Sequence, residues 1–219
     1  MTDWNPLKRV ARLREAKPLR KADIDDPMQR IPPGQYRTTK FPVLTYGETP
    51  QVSLKEWHLK VWGLVEKPMT LSWEELLALS SKEINCALHC VTRWSQLDMK
   101  WEGVPFREIA KLVAPKPEAR FVMQHCFGGY TTNVPLDELC DDDVLLAYNY
   151  NGAPLARDHG GPLRMLVPQL YLWKSAKWLN GLEFMPNDKP GFWEKYGYHN
   201  HGDPWTEERF GRALAMKPA

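Results

Sequence analysis

Nineteen prolines are spread along a chain of 219 residues, and they limit its possible folds more than any other feature. Proline lacks a backbone donor and clashes with the preceding helical turn, so this distribution argues against long helices. At 25.4 kDa the chain suits one domain, or one domain with a wrapping tail. A domain of this size buries roughly 70–75% of its unfolded surface and needs no disulfides to fold. Hydrophobic residues make up 43% and charged residues 26%, which excludes disorder, coiled coil or membrane spans as readings of the whole chain. The net charge of +2 is too small to argue for a nucleic-acid binder. Ten tryptophans suggest a core or pocket with large flat walls.

The first 21 residues carry seven lysines and arginines against two acids and read as a solvated basic arm, or else as a docking arm for an acidic partner. They include no apolar stretch of the length an export signal needs, and Lys8-Arg9 is not a twin arginine, so a cytoplasmic protein with reduced thiols is expected. Prolines 27, 32, 33, 42 and 50 predict an extended run over the domain surface. These features divide the chain into an N-terminal arm over 1–39, a domain over 40–185 and an irregular aromatic extension over 186–219, the last packed on the domain.

Alternation puts Trp57, Leu59 and Val61 on one face of a strand. Ser72-Trp-Glu-Glu75 is a capping box that opens a short helix over 73–79. A buried strand runs from Ile84 into a loop near Val91, and Pro105 opens a helix that ends at Val113. Further strands are predicted over 120–124, 144–150, 163–167 and 176–184, with Gly128-Gly129 and Asn151-Gly152 as turns. Strands outnumber helices without βαβ alternation, so the fold class is α+β with a mixed or antiparallel sheet.

Two constellations can carry chemistry. The four cysteines at 86, 90, 126 and 140 include no Cys-x-x-Cys pair, and adjacent strand residues such as His89 and Cys90 point to opposite faces, so structural zinc is disfavoured. Cys86 and Cys140 read as small buried hydrophobes. Cys90 stands at a strand exit, where one soft sulfur can join a redox-active metal if a cofactor brings the other ligands. The second constellation is Arg157-Asp-His-Gly-Gly-Pro-Leu-Arg164, followed by Ser175-Ala-Lys177. Glycines let backbone amides approach an anion, and arginine offers a planar fork to phosphate. A polar loop with exposed charges remains the alternative.

At these residues the sequence resembles the sulfite oxidase family of molybdopterin-dependent oxidoreductases. The segments that carry the likeness are Asn85–Ser95, Gly129–Leu136, Gly152–Pro168 and Trp173–Leu179, in that order. The chain is most similar to the stand-alone bacterial catalytic proteins of that family, which include the molybdenum subunit of methionine-sulfoxide reductase. The resemblance implies a mixed-sheet molybdopterin-binding domain and one molybdenum–molybdopterin, with two dithiolene sulfurs from the pterin and a third from Cys90. It implies pterin contact by His159, phosphate binding by Arg164, a wrap by Ser175, Ala176 and Lys177, and looser cofactor contacts at Cys126 and Tyr46. Trp94, Trp101 and Trp173 are candidates for the pocket walls.

The resemblance thus implies an oxidoreductase that moves an oxygen atom to or from a small substrate in two-electron steps, with a separate electron-transfer protein or carrier as partner. A non-catalytic molybdopterin-binding or carrier protein is the alternative, and Cys90 argues against it, because a pure pterin binder needs no metal ligand. Arg93 is the only sure cation close to Cys90 in sequence, with His89 titratable. A pocket walled by indole and holding one arginine favours neutral S- or N-oxides over sulfite.

Overall fold

The computed structural model describes residues 5–16 and 30–211. Much of the predicted arm and the end of the extension therefore lie outside the described residues. In chain order the elements are α1 (Pro6–Arg14), β1 (Tyr36–Arg37), β2 (His58–Gly63), β3 (Met69–Ser72), α2 (Trp73–Leu77), β4 (Lys82–His89), β5 (Trp94–Pro105) and α3 (Phe106–Val113). There follow β6 (Phe121–Cys126), β7 (Thr131–Pro135), α4 (Leu136–Leu139), β8 (Leu145–Tyr150), β9 (Ala153–Pro154), β10 (Arg164–Leu166), β11 (Leu179–Met185) and α5 (Phe192–Lys195). Every helix is short, as the prolines require, and none is long and apolar enough to cross a membrane among the described residues.

The strands form two mixed sheets, so the class is α+β. One runs β1-β5-β8-β10, with β4 also on β5 and β9 on β8; the other runs β3-β2-β11-β6-β7. The β1–β5 and β2–β11 pairs are parallel and the rest antiparallel. Period-two alternation decides which core each side chain enters. On β8, Leu146 faces the main core with Val61, Ile109 and Leu182, whereas Leu145 and Ala147 face a second apolar layer with Leu88 and Trp101. The first sheet is thus buried on both sides. A third cluster joins Val10, Cys90, Val91, Trp94, Tyr171, Trp173 and Tyr198.

Several expectations shift. The capping box at Ser72 is present, with both reciprocal hydrogen bonds, but its helix ends at Leu77. Pro105 is the N-cap of α3 rather than its first residue. The strand expected from 176 begins only at Leu179, because residues 172–174 form a 3-10 turn and Ser175–Trp178 a loop. The longest strand, β5, was not predicted.

The N-terminal stretch is packed where it is described. Asn5 caps α1 by accepting from the amides of Leu7 and Lys8, Val10 is only 4% exposed, and Arg14 donates to the carbonyls of Gly197 and Gly211. The C-terminal segment is anchored by two ionic devices. Lys174, in the 3-10 turn, forms a 2.6 Å pair with Glu194 of α5, their side chains 0% and 1% exposed. His201 lies between Glu138 of α4 at 2.7 Å and Glu208 at 2.6 Å.

Both anchors generate predictions. Lys174→Met leaves the Glu194 carboxylate buried and unpaired and should cost about 3–5 kcal/mol in denaturant titration. The hydrogen bond to Glu138, then that to Glu208, raises His201 to about 9 against the burial that opposes it. A raised histidine stabilises fully below its unfolded value near 6.5, loses that stabilisation as pH rises, and contributes nothing above about 9. His201 is 38% exposed, so screening leaves an effect on the order of 1 kcal/mol. Urea midpoints at pH 6 and 9.5 should differ more for the native chain than for His201→Gln.

Candidate active site

A cavity of about 460 Å³ opens where loops from both sheets meet the two terminal segments. This volume is within the range of small-molecule sites, roughly 300–1,000 Å³. Its wall includes Cys90, Val91 and Thr92 from the turn after β4, and Phe127–Tyr130 from the β6–β7 turn. His159 and Arg164 come from around the 157–159 turn, and Trp173 and Ser175–Trp178 from the run into β11. Phe41–Glu48 close one side, and Arg9 of α1 with Phe192, Trp193 and Tyr198 close another.

The Cys90 turn is held on all sides. Its amide donates to the Trp94 carbonyl at 2.9 Å and its carbonyl accepts from the Arg93 amide at 2.9 Å and from Gln35 Nε2 at 3.1 Å. Arg209, reaching back from the C-terminal segment, donates to the Val91 carbonyl at 3.1 Å. The Thr92 hydroxyl donates to Cys90 Sγ at 3.1 Å. Burial pushes the Cys90 thiol up; Thr92, Arg9 and Arg209 oppose that push. A coordinated metal would reverse the balance and hold the sulfur as thiolate.

A second set of cations forms a separate group. Arg164 is 2% exposed, and its guanidinium donates to the carbonyls of Met165, His159 and Ser175. Three of its donor groups thus shape the loop, and burial lowers it to about 10. Lys177 Nζ donates to Leu44 O at 3.2 Å, Thr45 Oγ1 at 2.7 Å and Asp158 O at 2.9 Å. Burial first, then Arg164, lowers Lys177 to about 7. A Cβ on Gly160 would meet Lys177 at 2.9 Å, and its φ of +109° is one that glycine tolerates, so this residue permits the approach. His159 stacks on Phe41, centroids 4.0 Å apart, and is lowered by burial, Arg164 and Lys177. Ser175 accepts from the Val167 amide, and the Ala176 amide donates to Gln124.

Tyr46 also lines the cavity, its ring tilted against Phe192 with centroids 4.7 Å apart. Other expected residues lie off the cavity wall. Cys126 does not line the cavity; it packs in the main core, because its strand alternation turns it inward. Arg93 does not line it either. Its backbone takes φ +77° at the turn, and its guanidinium donates to Ala16 O at 2.9 Å. His89 is turned to Ser95 at 2.8 Å and burial lowers it to about 4. Of the three candidate tryptophans only Trp173 is on the wall; Trp94 and Trp101 are core residues.

Sequence reasoning missed Arg9, Tyr130, Tyr198 and the bracing pair Gln35 and Arg209. The Asn5-Pro6 start, with apolar residues at 7, 10 and 13, was the one signal that a packed helix brings position 9 to the site.

Among the described residues no cluster of three or more histidines, cysteines or carboxylates can hold a metal. The donor set is instead one cysteine at one place and an arginine, a lysine and a stacked histidine at another. That set fits a flat, phosphate-bearing group that carries most of its own metal ligands, with cations for the phosphate and one sulfur for the metal.

The Lys177 ammonium gives a pH prediction. An anion binds the charged form, so affinity should be full below pH 7 and fall by up to about tenfold per unit above it. Titration with inorganic phosphate at pH 6 and 8.5 should show this loss, and Lys177→Met should remove the dependence.

Comparison with known proteins places this geometry in context. The family model described as oxidoreductase molybdopterin binding domain matches residues 46–193. An uncharacterised oxidoreductase of Bacillus subtilis (strain 168), YuiH, is 48% identical over 186 residues, which cover 84% of this chain and 94% of that one. The protein-methionine-sulfoxide reductase catalytic subunit MsrP of Xanthomonas axonopodis pv. citri is 31% identical over 205 residues, covering 76% of this chain and 63% of the subunit. The sulfane dehydrogenase SoxCD from Paracoccus pantotrophus has a similar fold, with a TM-score of 0.58 at 24% identity, over 64% of this chain and 40% of that one.

Proposed function

The chain belongs to the oxidoreductase molybdopterin binding domain family, that of sulfite oxidase, and is a molybdopterin-dependent oxidoreductase; from that premise we propose that it binds one molybdenum–molybdopterin and transfers an oxygen atom to or from a small substrate. Reduction of S- or N-oxides is the favoured direction. The observation that carries this reading is the placing of Cys90, alone among the cysteines, on the wall of a cavity that also holds Lys177, Arg164 and His159.

When bound, the group supplies the two-electron redox chemistry. Cys90 holds the metal, and the braces on its turn from Gln35 and Arg209 fix the direction of the sulfur. Lys177 and the remaining guanidinium donors of Arg164 face the phosphate, while His159, stacked on Phe41, borders the pterin. The open Gly128-Gly129 turn lets that backbone approach a flat ligand without a Cβ in the way. Trp173, Tyr130 and Tyr198 exclude water on the Cys90 side.

The preference for neutral oxides follows from the charges near the sulfur. Sulfite is a dianion and calls for several free cations. Arg209 acts on Cys90, but its guanidinium is committed to the carbonyls of Val91, Pro33 and Gly34. Electrons would be exchanged with a separate electron-transfer protein or carrier.

The test is molybdenum quantification with steady-state kinetics using an artificial electron donor or acceptor. The native chain should hold close to one molybdenum and reduce neutral oxides faster than it oxidises sulfite. Cys90→Ser should keep the fold and lose at least 100-fold in turnover. Protein from a cofactor-competent host that lacks molybdenum, or full activity in the serine variant, would sink the reading.

A further inference from the structure

Arg9 lies outside residues 46–193, the span of the family domain, yet it lines the same cavity wall as Cys90. The position is built. Asn5 caps α1, Val10 is buried in the cluster that contains Cys90, Trp173 and Tyr198, and Arg14 ties the helix to Gly197 and Gly211. With Val10 locked into that cluster, the preceding side chain is directed along the cavity wall.

Three observations give Arg9 a role. Its guanidinium donates to the Tyr198 phenol, which lines the same cavity wall as Cys90. Its Nε is buried and has no hydrogen-bond acceptor, and a buried guanidinium donor without an acceptor is costly unless a ligand supplies one. Arg164 and Lys177 hold loop groups around residues 44–45 and 158–175 and are assigned above to the cofactor phosphate, so they are not free for a substrate. Arg9 is therefore the cavity-lining cation that serves the cysteine side.

We propose that Arg9 is the substrate-orienting residue of this enzyme, donating to the oxygen of a neutral, dipolar S- or N-oxide whose carbon substituents rest against Trp173 and Tyr198. This rests on the oxygen-transfer reading above and adds to it the residue that selects the substrate. A sulfoxide or amine-oxide oxygen carries substantial negative charge and accepts strongly from a guanidinium. One guanidinium against aromatic walls matches one such oxygen on a small apolar body, and it leaves a second oxyanion unpaired.

The experiment uses the molybdenum-loaded chain, with Arg9→Gln, Arg9→Lys and, as a control on an exposed face of the same helix, Arg12→Gln. Binding of dimethyl sulfoxide, trimethylamine N-oxide and sulfate to the oxidised protein is followed by tryptophan fluorescence, without turnover, and KM and kcat are then measured with a reductant. Arg9→Gln should weaken oxide binding and raise KM at least tenfold with molybdenum content unchanged, Arg9→Lys should recover part of the loss, and Arg12→Gln should match the native chain. Equal oxide affinity in native and Arg9→Gln protein overturns the proposal. So does loss of molybdenum with the Arg9 change, which would make the residue part of the cofactor site, or binding of sulfate in preference to both oxides. A native chain that binds oxides through Arg9 but does not turn them over would instead overturn the oxygen-transfer reading and leave the assignment of Arg9 standing.

Discussion

The buried pair between Lys174 and Glu194 is the junction on which the rest of the site depends. Lys174 also donates to Asn133 O at 2.9 Å, Asn133 Oδ1 at 3.1 Å and Asn200 O at 2.6 Å, so one ammonium joins β7, the 3-10 turn and the C-terminal segment. Glu194 accepts in turn from Thr132 at 2.8 Å and from Trp173 Nε1 at 3.0 Å. The partners converge on one carboxylate oxygen, Oε1, and leave Oε2 buried without a hydrogen-bond partner, so the pair depends on the Lys174 ammonium to offset the cost of burial. The geometry that results places Trp173 on the cavity wall and keeps Phe192 and Trp193 beside it. A well-packed apolar substitute could match the stability but could not orient so many partners at once.

The division of labour between the cations follows from what each can reach. Arg164 is largely an internal brace: its donors close the loop between His159 and Ser175 and so present Lys177. Arg209 plays the same part for the Cys90 turn, stacked over Tyr171 at 5.0 Å while it holds the Val91 carbonyl. Lys177 holds the Leu44–Thr45 segment to the Asp158 carbonyl, and Arg9 lies on the wall with Tyr198.

Local signals made some of this legible and left the rest hidden. Strands β2, β6 and β8 were readable because alternation and adjacent turn residues agree, and the α2 capping box is a short-range code. Strand β5 was not, because it pairs with β1, β4 and β8 along its length and carries bulges against both β4 and β8, so its burial pattern has no clean period. Ser175–Lys177 looked like strand because apolar residues follow them, yet the turn at 172–174 delays pairing until Leu179. Cys90, His159, Arg164, Lys177 and Tyr46 come together on the cavity wall from motifs that could be read in order along the chain. Arg9 and Arg209 could not be read that way: each is one basic residue in a polar stretch, and its position depends on tertiary packing of the termini. Arg93 shows the same limit, since nearness in sequence to Cys90 does not set which way a residue at positive φ points.

Cys90 and the loop of Arg164 lie in the middle of the chain, but the wall over the sulfur is completed by Arg9 of α1 on one side and by Trp193 and Tyr198 on the other, with Arg209 bracing from behind. The two ends of the described chain therefore meet at one place, and each is held there by the other: Arg14 of α1 grips the carbonyls of Gly197 and Gly211. A change in either terminal segment thus acts on a wall whose central loops it does not touch.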